Sequence, residues 1–144
     1  MNKLSRNANI LQVLQNKMIR IILGIRKNHH VNMTDLRNKI RIMSVNQMCV
    51  YHTILEAHNI MRNVSSEQIK SKWTYKEEMK YFLRNKTESD LKIPEKPLKN
   101  CTGFTYSASK LYNILPNNMK ESSLNSDTFK LHIKEWVWKN IPSF

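Results

Sequence analysis

The sequence is poor in the residues that interrupt helices. It has only two glycines, Gly24 and Gly103, and four prolines. All four prolines lie beyond residue 93, so long helices are not excluded from the first half. We therefore expect a mainly α fold: a small helical bundle around a central buried helix.

Cysteines and long apolar runs are also scarce. Two cysteines, Cys49 and Cys101, are too few for a disulfide framework, which favours a reducing compartment. The longest apolar run near the start is Ile21-Ile22-Leu23, far short of a membrane span, and no secretory signal is visible. We expect an intracellular protein, cytoplasmic or nuclear, with no membrane partner and no small-molecule substrate.

Positive charge is abundant. Lys and Arg total 24 against 11 acids, giving a net charge of +13, which favours polyanionic partners. In residues 1–43 the one acid is Asp35. The predicted contacts to an RNA or DNA backbone are the basic side chains of this segment: Arg6, Lys17, Arg20, Arg26, Lys27, Arg37, Lys39 and Arg41. A solvated helix face is the competing interpretation.

Apolar spacing and capping residues predict three helices in the first half. The first spans residues 5–23, and Gly24 follows where a helix stop is expected. Its apolar face holds Ile10, Leu11, Leu14, Met18, Ile21 and Ile22, and we place Arg6, Lys17 and Arg20 on the opposite face. Thr34 is the predicted N-cap of a helix ending near residue 40. Ser44 caps the third, about 45–62, the expected central helix.

The second half is less regular. Residues 84–100 are polar and contain proline, which is typical of a linker, and the segments 91–93 and 102–106 alternate as a short β-hairpin would. A helix over 107–114 stops before Pro116, and Ser126 or Asp127 caps a last helix ending near residue 140. We therefore divide the chain into a basic helical region (1–83), a linker or irregular insert (84–103) and a C-terminal helical element (104–144) that packs on the first region.

Metal and cofactor chemistry has little support. Cys49 and His52 are three residues apart on one predicted helix, but no CxxC or HxxxH pair completes a set of four ligands. A buried position in the helix is the simpler interpretation of both. We expect no metal ion and no cofactor.

Two segments carry a resemblance to a known family. One is Leu11-Gln-Val-Leu-Gln-Asn-Lys-Met-Ile-Arg-Ile-Ile-Leu-Gly24. The other is Phe104-Thr-Tyr-Ser-Ala-Ser-Lys-Leu-Tyr-Asn-Ile-Leu-Pro116, which Phe129-Lys130 and Lys134-Glu135-Trp136 follow. In this order and spacing they resemble the C-terminal tail of non-LTR (LINE, jockey-like) retrotransposon polyproteins. The resemblance covers roughly residues 11–137. It departs from the family pattern at Tyr112, where the family usually has Trp.

The resemblance implies a non-catalytic segment of an RNA-directed DNA polymerase. Such polymerases hold two metal ions with paired aspartates plus a third, and the three aspartates of this chain, Asp35, Asp90 and Asp127, are never neighbours. We therefore expect no enzymatic activity. The implied role is to support the rest of the parent polymerase and to hold template RNA or target DNA. Two alternatives stay open: a helical protein-interaction module, and a translated remnant of a decayed mobile element.

Overall fold

The structure, a computed structural model, describes residues 3–62, 91, 104–120 and 125–142. This part of the chain is built from α-helices, which confirms the mainly α prediction. Their bounds are α1 Lys3–Ile22, α2 Met33–Ile40, α3 Val45–Met61, α4 Phe104–Ile114, α5 Asn117–Lys120 and α6 Ser126–Asn140.

The chain forms two compact units. Unit 1 comprises Met1–Cys49 and Val137–Phe144, and unit 2 comprises Val50–Trp136. The division falls within α3 and within α6, so each unit contains part of both helices. The boundaries predicted at residues 83/84 and 103/104 involve residues outside the described ranges, and they stay predictions.

Gly24 ends α1 as the sequence predicts. The Gly24 backbone has φ +64°, in the left-handed region, and its N–H donates to the Ile21 carbonyl at 3.1 Å. The Ile25 N–H donates to the Arg20 carbonyl at 2.9 Å. This pair of bonds is the Schellman motif, which satisfies carbonyls at the end of a helix and favours glycine at the left-handed position.

Local side-chain bonds begin α2 and α3. The Asn32 Oδ1 atom accepts from the Thr34 N–H at 3.0 Å, so the N-cap of α2 is Asn32, and the prediction of Thr34 is wrong by two residues. Ser44 begins α3 as predicted: its Oγ atom accepts from the Gln47 N–H, and the Gln47 Oε1 atom accepts from the Ser44 N–H. This reciprocal arrangement is a capping box.

Unit 2 buries one face from each of its three longer helices. On α6, Phe129 and Ile133 are fully buried, while Lys130 and Lys134 on the other side are exposed. Other buried apolar side chains among the described residues of the unit are Ile54, Ala57, Ile60, Leu91, Ala108, Tyr112, Leu115 and Met119. The side of α3 that holds Ile54, Ala57 and Ile60 is buried. Met48, Cys49 and His52 on the same helix are exposed, so the buried position predicted for Cys49 and His52 is wrong.

The β-hairpin prediction is wrong for residues 104–106. Phe104, Thr105 and Tyr106 form the first turn of α4, which begins three residues before the predicted start at 107. Five alternating residues are too few to separate a strand from a helix start. Leu91 bonds with a side chain of α4: its N–H donates to Asn113 Oδ1 and its carbonyl accepts from Asn113 Nδ2, each at 2.8 Å.

Candidate nucleic-acid interface

The eight predicted contacts all lie in unit 1, but they are not equally accessible. The side chains of six are exposed and that of Arg20 is half-buried, whereas Arg37 is buried. The exposed six are Arg6, Lys17, Arg26, Lys27, Lys39 and Arg41. His29 and His30, whose rings can stack on unpaired bases, are exposed as well.

Arg20 holds the basic loop that follows α1. Its Nη1 atom donates to the Arg26 carbonyl at 3.4 Å and to the His29 carbonyl at 3.2 Å. The guanidinium therefore fixes the backbone of residues 26–29 beside the last turn of α1. In this position the charge also lies near the negative end of the helix dipole. Arg20 thus positions Arg26 and Lys27, whose own side chains extend into solvent.

Arg37 joins α2 to α1 inside unit 1. Only 1% of the side chain is exposed. Its Nη1 atom donates to Asn16 Oδ1 at 2.7 Å, and its Nη2 atom donates to Thr34 Oγ1 at 3.2 Å. Burial lowers the pKa of Arg37, although an arginine remains charged at neutral pH. A guanidinium enclosed in this way has no access to a phosphate, so we leave Arg37 out of the proposed surface.

The basic side chains of α1 are not opposite its apolar face. Arg6 and Lys17 line a shallow groove on α1 together with Ile10, Val13 and Leu14. Residues at spacings of three and four lie on one side of a helix, so the opposite placement predicted for them is wrong. The predicted apolar face is also exposed rather than buried.

Three amide side chains lie on the side of α1 opposite this exposed face. They bond α1 to the rest of unit 1. Gln15 Nε2 donates to the Met43 carbonyl at 2.8 Å, Gln12 Oε1 accepts from the Val45 N–H at 2.8 Å, and Asn16 accepts from Arg37. We call Gln12, Gln15 and Asn16 the amide seam. Among residues 6–22 of α1, Ile19 is the one buried apolar residue, and it lies beside this seam. This seam was not predicted from the sequence, and its signal there is the helical spacing of the three amides.

A buried histidine lies in the core of unit 2. The side chain of His58 is 2% exposed, and its ring stacks on Phe129 with centroids 3.5 Å apart and planes at 14°. Among the residues that the structure describes, neither ring nitrogen has a hydrogen-bond partner. Burial, reinforced by the charge of Arg62, lowers the pKa of His58 to about 4. The neutral ring therefore serves as a packing group.

Chemistry of other kinds has no assembled site in the part of the chain described. There, no three His, Cys, Asp or Glu side chains come together as metal ligands would. Among the same residues, no helix combines the length and apolar character needed to cross a membrane. No family model, curated protein or solved structure matches the chain.

Proposed function

We propose that the chain is a non-catalytic C-terminal segment of a LINE-type RNA-directed DNA polymerase, and that it contacts RNA or DNA backbones through unit 1. The observation that carries the nucleic-acid part is the exposure of six basic side chains in a segment whose one acid is Asp35. The polymerase part rests on the sequence resemblance alone.

The proposed surface has two parts that internal contacts hold in place. The first is the loop after α1, where Arg26 and Lys27 are exposed on a backbone fixed by Arg20. The second is the end of α2, where Lys39 and Arg41 are exposed. The bond between Arg37 and Asn16 fixes α2 relative to α1, so these groups occupy set positions in unit 1.

Such a surface would bind phosphates without reading sequence. The exposed groups are lysine ammonium and arginine guanidinium groups, which neutralise phosphates and so release counterions from the nucleic acid. Exposed His29 and His30 beside Arg26 and Lys27 add rings on which unpaired bases can stack. We therefore expect a preference for single-stranded RNA or DNA and strong dependence on salt.

Filter binding to single-stranded RNA at rising salt tests the proposal. For single strands the logarithm of the binding constant falls with the logarithm of salt by about 0.7 per phosphate contact. The double variant Arg26→Gln/Lys27→Gln should therefore lower this slope by about 1.4. The control, Lys110→Gln/Lys134→Gln, removes the same charge from exposed positions of unit 2 and should leave the slope nearly unchanged.

Two results would contradict the nucleic-acid proposal. No affinity at low salt would show that RNA is not a partner. Equal losses in the two double variants would show that net charge, and not this surface, attracts RNA. The polymerase origin is tested separately by the reading frame upstream in the genome. A paired-Asp polymerase turn there would support it, and stop codons would make the chain a remnant.

A second candidate function, a helical protein-interaction module, is favoured by one observation. The outer side of α1 presents large apolar side chains to solvent, and nucleic-acid contacts made by charged groups leave them uncovered.

A further inference from the structure

The outer side of α1 is largely apolar, with Arg6 and Lys17 near one edge. Ile21 is 78% exposed and Ile22 is 75% exposed, and their neighbours on this side are about half exposed or more. At helical spacing the set covers about half of the helix circumference. We call it the α1 apolar face: Ile10, Leu11, Val13, Leu14, Met18, Ile21 and Ile22.

The hydrogen bonds that hold α1 to the rest of unit 1 do not involve the α1 apolar face. The amide seam lies on the other side of the helix and bonds with Met43, Val45 and Arg37. Because these bonds fix which side of α1 points inward, the apolar face is directed outward. Monomeric soluble proteins rarely expose contiguous apolar patches beyond a few hundred Å², and larger patches mark interaction sites.

Positive charge lies near one edge of the face. Arg6 and Lys17 line the groove together with Ile10 and Val13, and at helical spacing they lie between these two residues; Arg20 follows beyond Val13. The other edge, next to Gln15 of the amide seam, has no basic residue at helical spacing. The first 34 residues contain no acid to offset these charges. A complementary surface is therefore apolar in the middle and acidic along one side.

We infer that the α1 apolar face docks into an apolar groove between two helices of another protein domain, whose rim beside Arg6 and Lys17 carries carboxylates. Ile10, Leu14, Met18 and Ile21 have the spacing of anchor residues in helix-in-groove recognition. A face covering half the circumference is wider than one partner helix covers, so the occupant is a groove. This inference does not depend on the RNA contacts proposed above.

Two other occupants fit the face less well. An anionic bilayer favours an interfacial helix with aromatic anchors, and the first 50 residues contain no Phe, Tyr or Trp. Basic groups along one edge alone also differ from the polar face of such a helix. A second copy packed antiparallel would bring the two basic edges to the same side, where like charges repel.

The test uses the full chain and a designed probe. The probe is a labelled two-helix hairpin with a leucine-lined groove and a row of glutamates along one rim; a second hairpin carries lysines in the same row. Fluorescence anisotropy should show the glutamate hairpin binding at least about tenfold more tightly. The variant Arg6→Glu/Lys17→Glu should reverse this preference.

Replacing apolar residues by glutamine tests whether binding depends on the α1 apolar face or on exposed apolar side chains in general. Leu14→Gln/Met18→Gln/Ile21→Gln changes exposed side chains only and should weaken binding of the glutamate hairpin by at least about a hundredfold. The control Ile114→Gln/Leu131→Gln removes exposed apolar groups of α4 and α6 and should leave binding unchanged. RNA binding should be the same in both variants.

Three results overturn the inference. One is equal or absent binding of the two hairpins. Another is stable binding to phosphatidylserine vesicles that the Leu14→Gln/Met18→Gln/Ile21→Gln change abolishes, which identifies a membrane as the occupant. The third is a dimer of the chain alone, seen by sedimentation equilibrium and dispersed by the same change, which identifies a second copy.

Discussion

At the scale of single residues, His58 shows how packing can override a side chain's polarity. Its ring stacks on Phe129 and lies 6.5 Å from the Tyr112 ring, in a site where both nitrogens lack partners. Ser109 Oγ, also buried, has no partner either. A buried polar group without a hydrogen bond costs about 1–3 kcal/mol, so this core is held together by its apolar and ring contacts.

The depressed pKa of His58 makes unit 2 sensitive to acid. The folded ring titrates near pH 4 and an unfolded histidine near pH 6.5. Above pH 6.5 both states are neutral and the full stability is present. As the pH falls toward 4 the unfolded state takes up the proton first, so the free energy of unfolding drops, by about 3 kcal/mol in total.

Urea unfolding of wild type and His58→Phe at pH 7.5, 5.5 and 4 measures this effect. The stability difference between the two proteins should shift in favour of the variant across that range. His52→Gln, which changes an exposed histidine of the same helix, should track the wild type. A constant difference between wild type and His58→Phe would mean that the ring is accessible to protons in the folded state.

At the scale of elements, two helix ends with the same hydrogen-bond pattern carry different residues. Arg41 ends α2 with φ 56°, and the Ile42 N–H donates to the Arg37 carbonyl as Ile25 does to Arg20 after Gly24. Glycine adopts this backbone freely, whereas a residue with a Cβ atom is strained by about 1 kcal/mol. The strain is therefore present at α2 and absent at α1.

Substitutions at these two ends should change stability in opposite directions. Gly24→Ala should lower the free energy of unfolding by about 1 kcal/mol, and Arg41→Gly should raise it by up to about 1 kcal/mol. An added Cβ at Gly24 would meet no atom within 4 Å, so the loss there reports backbone strain alone. Thermal unfolding of both variants checks the signs, and the same sign in both would refute the argument.

The helices could be predicted from the sequence because their signals are local. Spacing and caps predicted 5–23, 45–62 and a last helix to about 140, and the structure has Lys3–Ile22, Val45–Met61 and Ser126–Asn140. The burial of α1 could not be predicted in the same way. It is decided by bonds from Gln12, Gln15 and Asn16 to residues about 20 to 33 positions away, which outweigh the apolar pattern.

Only part of the arrangement of the candidate contacts could be predicted from the sequence. The clustering of lysine and arginine identified residues 1–43 as the basic segment. This segment lies in unit 1, and six of the eight predicted side chains are exposed there. No local feature of the sequence distinguishes Arg37 from Arg41, although the side chain of Arg37 is buried and that of Arg41 is exposed. That difference depends on Asn16 and Thr34 converging on one guanidinium, which is a property of the tertiary structure.

At the scale of the whole molecule, the net charge of +13 opposes compaction. Like charges at the surface repel, and dissolved salt shortens the range of that repulsion to about 3 Å at 1 M. Raising KCl from about 0.05 M to about 0.5 M should therefore increase the urea midpoint of unfolding while weakening RNA binding. Circular dichroism follows the unfolding. A midpoint that falls or stays constant would mean that repulsion does not limit stability.

The amide seam has a consequence for the speed and selectivity of association. Hydrogen bonds are directional, and rotating α1 about its axis by one residue would move Gln12, Gln15 and Asn16 away from their partners together. The helix is therefore set at one rotational angle before anything binds to it. A partner therefore binds a helix face that is already oriented, so little conformational entropy is lost in ordering the helix on contact.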